Sequence, residues 1–237
     1  MWKVKILTAS PEFYDNIFEK SLYAKGIRSG IWQYEIRDIR SYALNKHSSI
    51  DSKPYGGGSG MVLRSDVVGD AIDDFFGENS QIFYLSPRGK HFTQERAEKM
   101  IHEHKTLNLL SCRFEGMDER IITQYKIQEI SLGDFVLTNG DIAVLALVDC
   151  CLRFLPKFLG NVNALEEESF GRGIYKNLLE YPLYTKPPIW RGHKVPTVLL
   201  SGHHKKILEW RLDMAKKLTK IRRDDLWHKH IQNTENE

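Results

Sequence analysis

Apolar residues recur along the first two thirds of the chain in short runs that alternate with segments of helical spacing. The runs typical of β-strands are "WKVKIL" near the N-terminus, "WQYEIRDI", "QIFYL", "TLNLLSC" and a stretch near residues 127–132. The helical segments are "PEFYDNIFEK", "RSDVVGDAIDDFF" with Ser65 as its N-cap, residues 93–105, a segment from Asp118, and residues 141–155. This alternation predicts an α/β domain with a largely parallel sheet.

The pattern changes after Leu159. Residues 161–174 have little periodicity and contain three consecutive glutamates, so they predict a linker. From His203 to Arg223 a basic helix is predicted, with one apolar face formed by Ile207, Trp210, Met214, Leu218 and Ile221. Eight Lys or Arg residues against two acids in this helix fit a solvated outer face and a phosphate-binding face equally well.

Composition narrows the class of protein only slightly. The chain has 237 residues, 41% hydrophobic and 27% charged, which are ordinary globular values and suit one large domain or a large and a small one. A net charge of +3 permits a polyanionic partner without requiring one. Three cysteines without metal-ligand spacing, and an N-terminus without an apolar signal region, favour a reducing, cytosolic compartment. The run "IAVLALV" is too short to span a bilayer.

Three glycine-containing loops follow predicted strands: "YLSPRG" (84–89), "SCRFEGMDER" (111–120) and "SLGDFVLTNGD" (131–141). Ligands of parallel sheets bind beyond the carboxyl ends of the strands, so these loops predict one small-ligand site. None of them fits the Walker pattern or the dinucleotide-binding glycine pattern.

A fourth glycine-rich stretch, "PYGGGSGM" (54–61), has four glycines in five residues. Such a run indicates backbone with positive φ or the close approach of another molecule. Without a Walker lysine and helix it does not predict a phosphate cradle, and the spacing of the histidines predicts no metal site.

Individual polar candidates each have an ordinary structural explanation as well as a functional one. A loop glutamate such as Glu115 is more often a solvated or capping residue than a functional one, and Arg153 can complement a helix dipole. The default interpretation of the run Glu166, Glu167 and Glu168 is a solvated linker. The chain also lacks the G-x-S-x-G elbow of many hydrolases.

Taken together, these stretches carry a family resemblance. The blocks in question are "DSKPYGGGSGMVL", "YLSPRG", "CRFEGMDER", "SLGDFVLTNGD", "FLPKFLGN", "EESF", "YPLYTKP", "VPTVLLSGHH" and "EWR". In this order and at these intervals, over about residues 1–225, the chain resembles the bacterial tRNA (guanine-N1)-methyltransferases of the TrmD type, in the SPOUT superfamily.

The resemblance implies a fold and a reaction. Residues 1–160 would form a catalytic domain that binds S-adenosylmethionine, with a deep C-terminal trefoil knot. Residues 161–174 would be a flexible linker, and residues 175–237 a small helical domain that binds tRNA. The enzyme would be a cytoplasmic homodimer with active sites at the interface, it would depend on Mg²⁺, and its acceptor would be N1 of the guanine immediately 3′ of the anticodon.

The same resemblance assigns residues. Those implied to bind the cofactor are Tyr84, Leu85, Ser86, Pro87, Cys112, Phe114, Glu115, Gly116, Leu132, Gly133, Phe135, Leu137 and Gly140. Those implied to contact the tRNA are Asp51, Gly60 and His47. Glu168 would be the general base that removes the guanine N1 proton, and Arg153 would stabilise negative charge on O6. No metal ligand is assigned.

The chain departs from the family pattern at several positions. Glu168 stands where aspartate is usual, so Glu167 is an alternative base. Cys112 and Asn139 replace glycines, and we expect Asn139 to be tolerated through its αL propensity. Two other functions therefore stay open: a tRNA-binding protein with weak or lost catalysis, and a methyltransferase for another RNA nucleotide.

Overall fold

The computed structural model describes residues 1–44, 49–77, 79–161 and 164–235. Its β-strands are β1 (Trp2–Thr8), β2 (Trp32–Asp38), β3 (Asp51–Ser52), β4 (Val62–Leu63), β5 (Ile82–His91), β6 (Thr106–Leu110), β7 (Gln128–Ser131), β8 (Ile189–Trp190) and β9 (His193–Lys194). Its α-helices are α1 (Glu12–Phe18), α2 (Ser21–Arg28), α3 (Ser65–Phe75), α4 (Gln94–Glu103), α5 (Glu119–Gln124), α6 (Gly140–Leu152), α7 (Ala164–Glu167), α8 (His204–Arg222) and α9 (Asp224–Glu235). The chain divides into two compact units, Met1–Leu159 and Gly160–Glu237.

The first unit is built on a five-stranded sheet in the order β2-β1-β6-β5-β7. Every strand pair in it is parallel, which confirms the predicted α/β class with a parallel sheet. The central strands are apolar along most of their length because both of their faces are covered. Strand β6, for example, is buried from Leu107 to Leu110.

Helices cover both faces of this sheet. Helices α1, α2, α4 and α6 pack over one face, where Phe18, Trp32 and Leu147 are among the buried side chains. Helices α3 and α5 pack over the other face around Ile72 and Ile121. The result is the three-layer arrangement expected when helices connect parallel strands.

Two sequence predictions about this unit were wrong in detail. Ser65 is the first residue of α3 and not its N-cap; Arg64 occupies the cap position, with no side-chain capping hydrogen bond. The strand predicted as "QIFYL" continues to His91. Leu85 and Lys90 both pair with Ile130 of β7, so the four residues between them bulge out of the ladder. The sequence pattern predicts a loop at the bulge because its residues are proline, glycine and two polar residues.

The second unit has a small core. Its buried apolar residues include Tyr175, Leu178, Tyr181 and Ala215. Thr219 of α8 is also fully buried: its hydroxyl donates to the Ala215 carbonyl at 2.7 Å and accepts from the Leu179 amide at 2.8 Å.

The long basic helix is confirmed as α8. Its apolar face was predicted incorrectly near the C-terminal end of the helix. Ile221 is 81% exposed, whereas the buried positions are Ala215 and Thr219. Leu212, which the prediction did not include, packs against the core of this unit beside Met214. The small residues alanine and threonine carry a weak hydrophobic signal, so the periodicity favoured larger side chains nearby.

Candidate active site

A cleft of about 270 Å³ lies at the carboxyl ends of β6 and β7 and at the bulge of β5, the strand between them in the sheet. The three glycine-containing loops line it together. The structure brings to this one cleft every residue that the resemblance assigns to the cofactor: Tyr84, Leu85, Ser86, Pro87, Cys112, Phe114, Glu115, Gly116, Leu132, Gly133, Phe135, Leu137 and Gly140. Arg113, Ile130, Ser131, Val136 and Ala143 also line it and were not predicted.

The first wall of the cleft is formed by the bulge in β5. Ser86 orders it by accepting a hydrogen bond from the Arg88 amide at 3.2 Å. A Cβ at Gly89 would collide with the backbone of Ile130, so this position requires glycine for close packing and not for a positive φ. Arg88 pairs with Glu119 and Glu129 on the surface.

The second wall follows β6. Phe114 and Gly116 both have positive φ, 61° and 106°, which turns this loop sharply. A Cβ at Gly116 would lie 2.9 Å from the Tyr84 hydroxyl, so glycine keeps the main chain of this loop close to the first wall. Cys112 is buried at the base, and burial raises the pKa of its thiol well above the usual range. It is therefore an inert, neutral packing group.

The third wall leads from β7 into α6. The Asn139 side chain accepts a hydrogen bond from the Asp141 amide at 2.8 Å and so caps α6. The backbone of Asn139 is extended, with φ −148°. The prediction that asparagine is tolerated here through the αL conformation was therefore wrong, since its capping side chain explains it. A Cβ at Gly140 would lie 2.7 Å from the Cys112 carbonyl oxygen, so no larger residue fits.

The glycine-rich stretch at 54–61 lies beside the second wall. It connects the antiparallel strands β3 and β4, and Gly56, Gly57, Gly58 and Gly60 all have positive φ. The Glu115 amide donates to the Met61 carbonyl at 3.0 Å. A Cβ at Gly60 would collide with the Glu115 side chain.

The strand after the glycines continues the same junction. The Leu63 amide donates to the Gly116 carbonyl at 2.9 Å, and the Asp118 amide donates back to the Leu63 carbonyl at 3.1 Å. The glycine-rich stretch is thus attached to the second wall of the cleft by backbone hydrogen bonds, which the sequence pattern did not predict. Asp51 pairs with Leu63 in this ladder. His47 lies outside the described residues.

A buried polar group under the third wall was missed by the sequence analysis. Asp141 is fully buried and accepts hydrogen bonds at 2.7 Å from the Thr8 and Tyr14 hydroxyls. Burial, followed by the nearby Asp141 carboxylate, raises the pKa of Tyr14 far above its usual range. This group ties the start of α6 to β1 and α1. The available signal was an acidic residue at the first turn of an otherwise apolar helix.

Arg153 follows α6 as its C-cap residue. It lines a second cavity, of about 300 Å³, together with Tyr23, Asp149 and Phe158. The Tyr23 hydroxyl donates to Asp149 at 2.6 Å, and burial together with this bond raises the pKa of Tyr23 to about 12. Asp149 is one helical turn before Arg153, so a fixed carboxylate shares the cavity with the candidate catalytic cation.

The three consecutive glutamates have different surroundings. Glu166 pairs with Arg172 at 3.4 Å. Glu167 accepts from the Tyr181 hydroxyl at 2.6 Å and pairs with Arg211 at 3.0 Å, which gives its carboxylate a structural role in the second unit. Glu168 is partly buried, and its carbonyl accepts from the Gly171 amide at 2.9 Å.

Two negative findings concern the described residues alone. No group of three or more His, Cys, Asp or Glu side chains in that part of the chain is arranged to hold a metal ion. Among the helices of the described ranges, none is both long and apolar enough to cross a membrane.

The fold and the cleft define an α/β protein with a cavity that spans three neighbouring strands of a parallel sheet, at the kind of position where such sheets bind ligands. Residues 2–229 match the family model described as "tRNA (Guanine-1)-methyltransferase TrmD". The chain belongs to this family, as its sequence motifs predicted.

Individual relatives agree with the family match over nearly the full chain. A protein of Ruegeria sp. (strain TM1040) is 48% identical over 230 residues, covering 96% of this chain and 92% of the relative. A protein of Pelagibacter ubique (strain HTCC1062) is 43% identical over 233 residues, covering 98% and 100%. A protein of Wolbachia pipientis wMel is 44% identical over 227 residues, covering 95% of each chain. All three are named tRNA (guanine-N(1)-)-methyltransferase.

Proposed function

We propose that the protein transfers a methyl group from S-adenosylmethionine to N1 of the guanine immediately 3′ of the anticodon in tRNA. Family membership supports the reaction class. The observation that carries the proposal is the three-walled cleft with the glycine-rich stretch attached to it, because such a site accommodates a cofactor beside a nucleobase.

The cleft fits S-adenosylmethionine by its shape and its chemistry. A Cβ at Gly116 or Gly140 would collide with neighbouring atoms, so these glycines allow the loop main chains to pack closely around the cleft. Leu85, Ile130 and Leu132 supply apolar contacts suited to an adenine ring, and the Glu115 carboxylate suits a cationic ligand. When bound, S-adenosylmethionine supplies an electrophilic methyl group.

We assign the proton transfer to Glu168. Guanine N1 carries a proton at neutral pH and is a poor nucleophile until a base removes it. Arg153 stabilises the negative charge that then develops on O6, as a fixed cation does in a preorganised site. The fixed carboxylate of Asp149 beside Arg153 supports a preorganised cation at this position.

For tRNA binding we propose Asp51 and Gly60 as contacts to the guanine that precedes the target, and His47 as a further tRNA contact. The attachment of Gly60 to Glu115 supports a position next to the cofactor. We propose the basic face of α8 as a phosphate-binding surface within a tRNA-binding domain of residues 175–237, which follows a catalytic domain of residues 1–160 and a flexible linker of residues 161–174.

We also propose a homodimer. Val136 beside the cleft is 84% exposed and Ile142 of α6 is 45% exposed, and a second copy of the chain would cover such apolar side chains. From the family resemblance we also propose a trefoil knot, a dependence on Mg²⁺ and a cytoplasmic location. Light scattering tests the dimer, and chelation by EDTA tests the metal dependence.

The experiment that tests the function uses tritiated S-adenosylmethionine and an unmodified tRNA transcript with guanines at the target position and immediately before it. We expect one methyl group per tRNA, located at guanine N1 by nuclease digestion and mass spectrometry. A transcript with adenine at the target position is the control. Intact tRNA binding without methyl transfer would contradict the proposal and favour a tRNA-binding protein without catalysis.

A further inference from the structure

A short β-hairpin in the second unit presents an exposed tryptophan. Strands β8 and β9 pair antiparallel, with Trp190 opposite His193. The two residues between them, Arg191 and Gly192, have φ of 48° and 84°, and such a two-residue turn with positive φ is the tight type that suits hairpins. The Val195 amide closes the base of the hairpin by donating to the Pro188 carbonyl at 3.0 Å. The hairpin therefore holds its tip in a defined shape.

The side chains at this tip form a stacked pair. The Arg191 guanidinium lies over the Trp190 ring, 4.9 Å from the ring centroid. Trp190 nevertheless remains 58% exposed, and the neighbouring Ile189 is 56% exposed. A large aromatic ring with this exposure loses hydrophobic stabilisation unless a partner covers it.

The charge of the surrounding chain identifies the kind of partner. Residues 181–208, which we call the acid-free segment, contain no Asp or Glu at all. They contain five Lys or Arg and three His, all exposed: Lys186, Arg191, Lys194, Lys205, Lys206, His193, His203 and His204. Within the second unit, the Tyr184 ring of this segment packs near the Trp210 ring of α8, with 6.3 Å between the ring centroids. An exposed aromatic ring within a basic segment that contains no acidic residue is a combination suited to unpaired nucleic acid bases and their phosphates.

A second copy of the chain fits this surface less well. If the acid-free segment packed on its own equivalent across a two-fold axis, cations would face cations without a compensating carboxylate. An RNA strand instead supplies a phosphate for Arg191 or Lys194 and a flat base for Trp190.

We propose that the hairpin Ile189–Lys194 is a stacking platform for an unpaired base of the tRNA, with Trp190 as the stacking residue and Arg191 as a phosphate contact. This inference rests on the proposed function because it takes tRNA as the ligand. It adds a recognition element outside the cofactor cleft and outside the basic face of α8.

The test measures the Kd for the unmodified tRNA transcript by fluorescence anisotropy at several salt concentrations, with hydrogen exchange across residues 175–235 as a check that the second unit is folded. Trp190→Ala should raise the tRNA Kd by about five- to a hundredfold, the range reported by alanine substitution for one stacked base. Trp190→Phe, which keeps an aromatic ring, should stay within about threefold of the parent. Arg191→Gln should lower the salt slope by about one, as the loss of one phosphate contact does.

Lys99→Gln is the matched control for charge. Lys99 is exposed and pairs with Glu103 in the first unit, so its removal should leave the salt slope unchanged. Equal tRNA affinity of Trp190→Ala and the parent would overturn the proposal. So would a change from dimer to monomer in Trp190→Ala by light scattering, since Trp190 would then belong to an interface between copies.

Failure of the stacking platform and failure of the methyl-transfer proposal have different signatures. If the parent methylates tRNA while Trp190→Ala binds it normally, the platform alone is wrong. If Trp190→Ala loses tRNA binding while the parent transfers no methyl group, the platform stands and the enzymatic proposal is wrong. A parent protein that does not bind the transcript would overturn both.

Discussion

The two units of this protein use their side chains in opposite ways. The first unit buries most of its large apolar residues in two layers around a parallel sheet, and its cleft is shaped by glycines and loop main chain. The second unit has a small core and leaves Trp190, Leu183 and Leu200 largely exposed on a basic surface. Main-chain recognition suits one small ligand of fixed shape, whereas exposed aromatic and basic side chains suit a large polyanion.

The largest effect is expected from a substitution of the candidate base, Glu168, which belongs to the second unit. Glu168→Gln should lower kcat by about a hundred- to ten-thousandfold, the usual effect of losing a general base. The Kd for S-adenosylmethionine, measured by calorimetry, should not change, because the predicted cofactor residues all lie in the first unit.

Glu167→Gln is the control for that experiment. Its carboxylate is bonded to Tyr181 and Arg211, so we expect lower stability with kcat close to the parent value. A large loss of kcat in this variant, with little loss in Glu168→Gln, would reverse the assignment of the base.

The second test adds one methyl group to the third wall of the cleft. Gly140→Ala places a Cβ 2.7 Å from the Cys112 carbonyl oxygen, so the loop must move. We expect a loss of about 1–3 kcal/mol in unfolding free energy, as for overpacking elsewhere, and weaker binding of S-adenosylmethionine by calorimetry. Gly160→Ala is the matched control because no heavy atom lies within 4 Å of the added Cβ. Equal effects of the two variants would show that the wall is adaptable.

A third test addresses the small core of the second unit. Thr219→Val leaves the partly buried Leu179 amide without its acceptor and should lower the free energy of unfolding by about 1–3 kcal/mol. Hydrogen exchange followed by mass spectrometry should show faster exchange across residues 175–235 and no change in the β-sheet. The exposed Thr197→Val is the control. Faster exchange in both units would mean that they unfold as one cooperative body.

The smallest effect is expected from the hydrogen bond between Tyr23 and Asp149. Because the pKa of Tyr23 is raised to about 12 in the folded protein, its stabilising contribution is complete below the ordinary tyrosine pKa and is lost as the pH rises toward 12. Tyr23→Phe should therefore lower stability by about 1 kcal/mol at neutral pH and flatten the alkaline decline. Urea unfolding at several pH values measures both. An unchanged alkaline slope would show that Tyr23 does not contribute to it.

The sequence predicted more of the first unit than of the second. Strand and helix types followed from periodicity, and the convergence of the three loops followed from the rule for carboxyl ends of parallel strands. The bulge of β5 was not predictable, because it depends on how Leu85 and Lys90 both pair with Ile130 on a strand distant in sequence. In the second unit the buried face of α8 is defined by Ala215 and Thr219, whose size is set by tertiary packing and not by a hydrophobic pattern.

The candidate site divides in the same way. The residues that the family resemblance assigns to the cofactor lie together, but nothing in the sequence indicated that Gly60 packs against Glu115. That contact depends on β3 and β4, which are only two residues long and are held by backbone bonds to a loop far along the chain. Short strands of this kind carry almost no periodic signal.

The backbone bonds from Met61 to Glu115 and from Leu63 to Gly116 have a thermodynamic consequence. These bonds connect the proposed nucleobase loop to the second wall of the cleft, so we expect a ligand that shifts one of them to shift the other as well. Any preference of one ligand for a particular position of this loop and wall becomes a coupling free energy, and that coupling is reciprocal. The factor by which S-adenosylmethionine changes the affinity for tRNA must then equal the factor by which tRNA changes the affinity for S-adenosylmethionine.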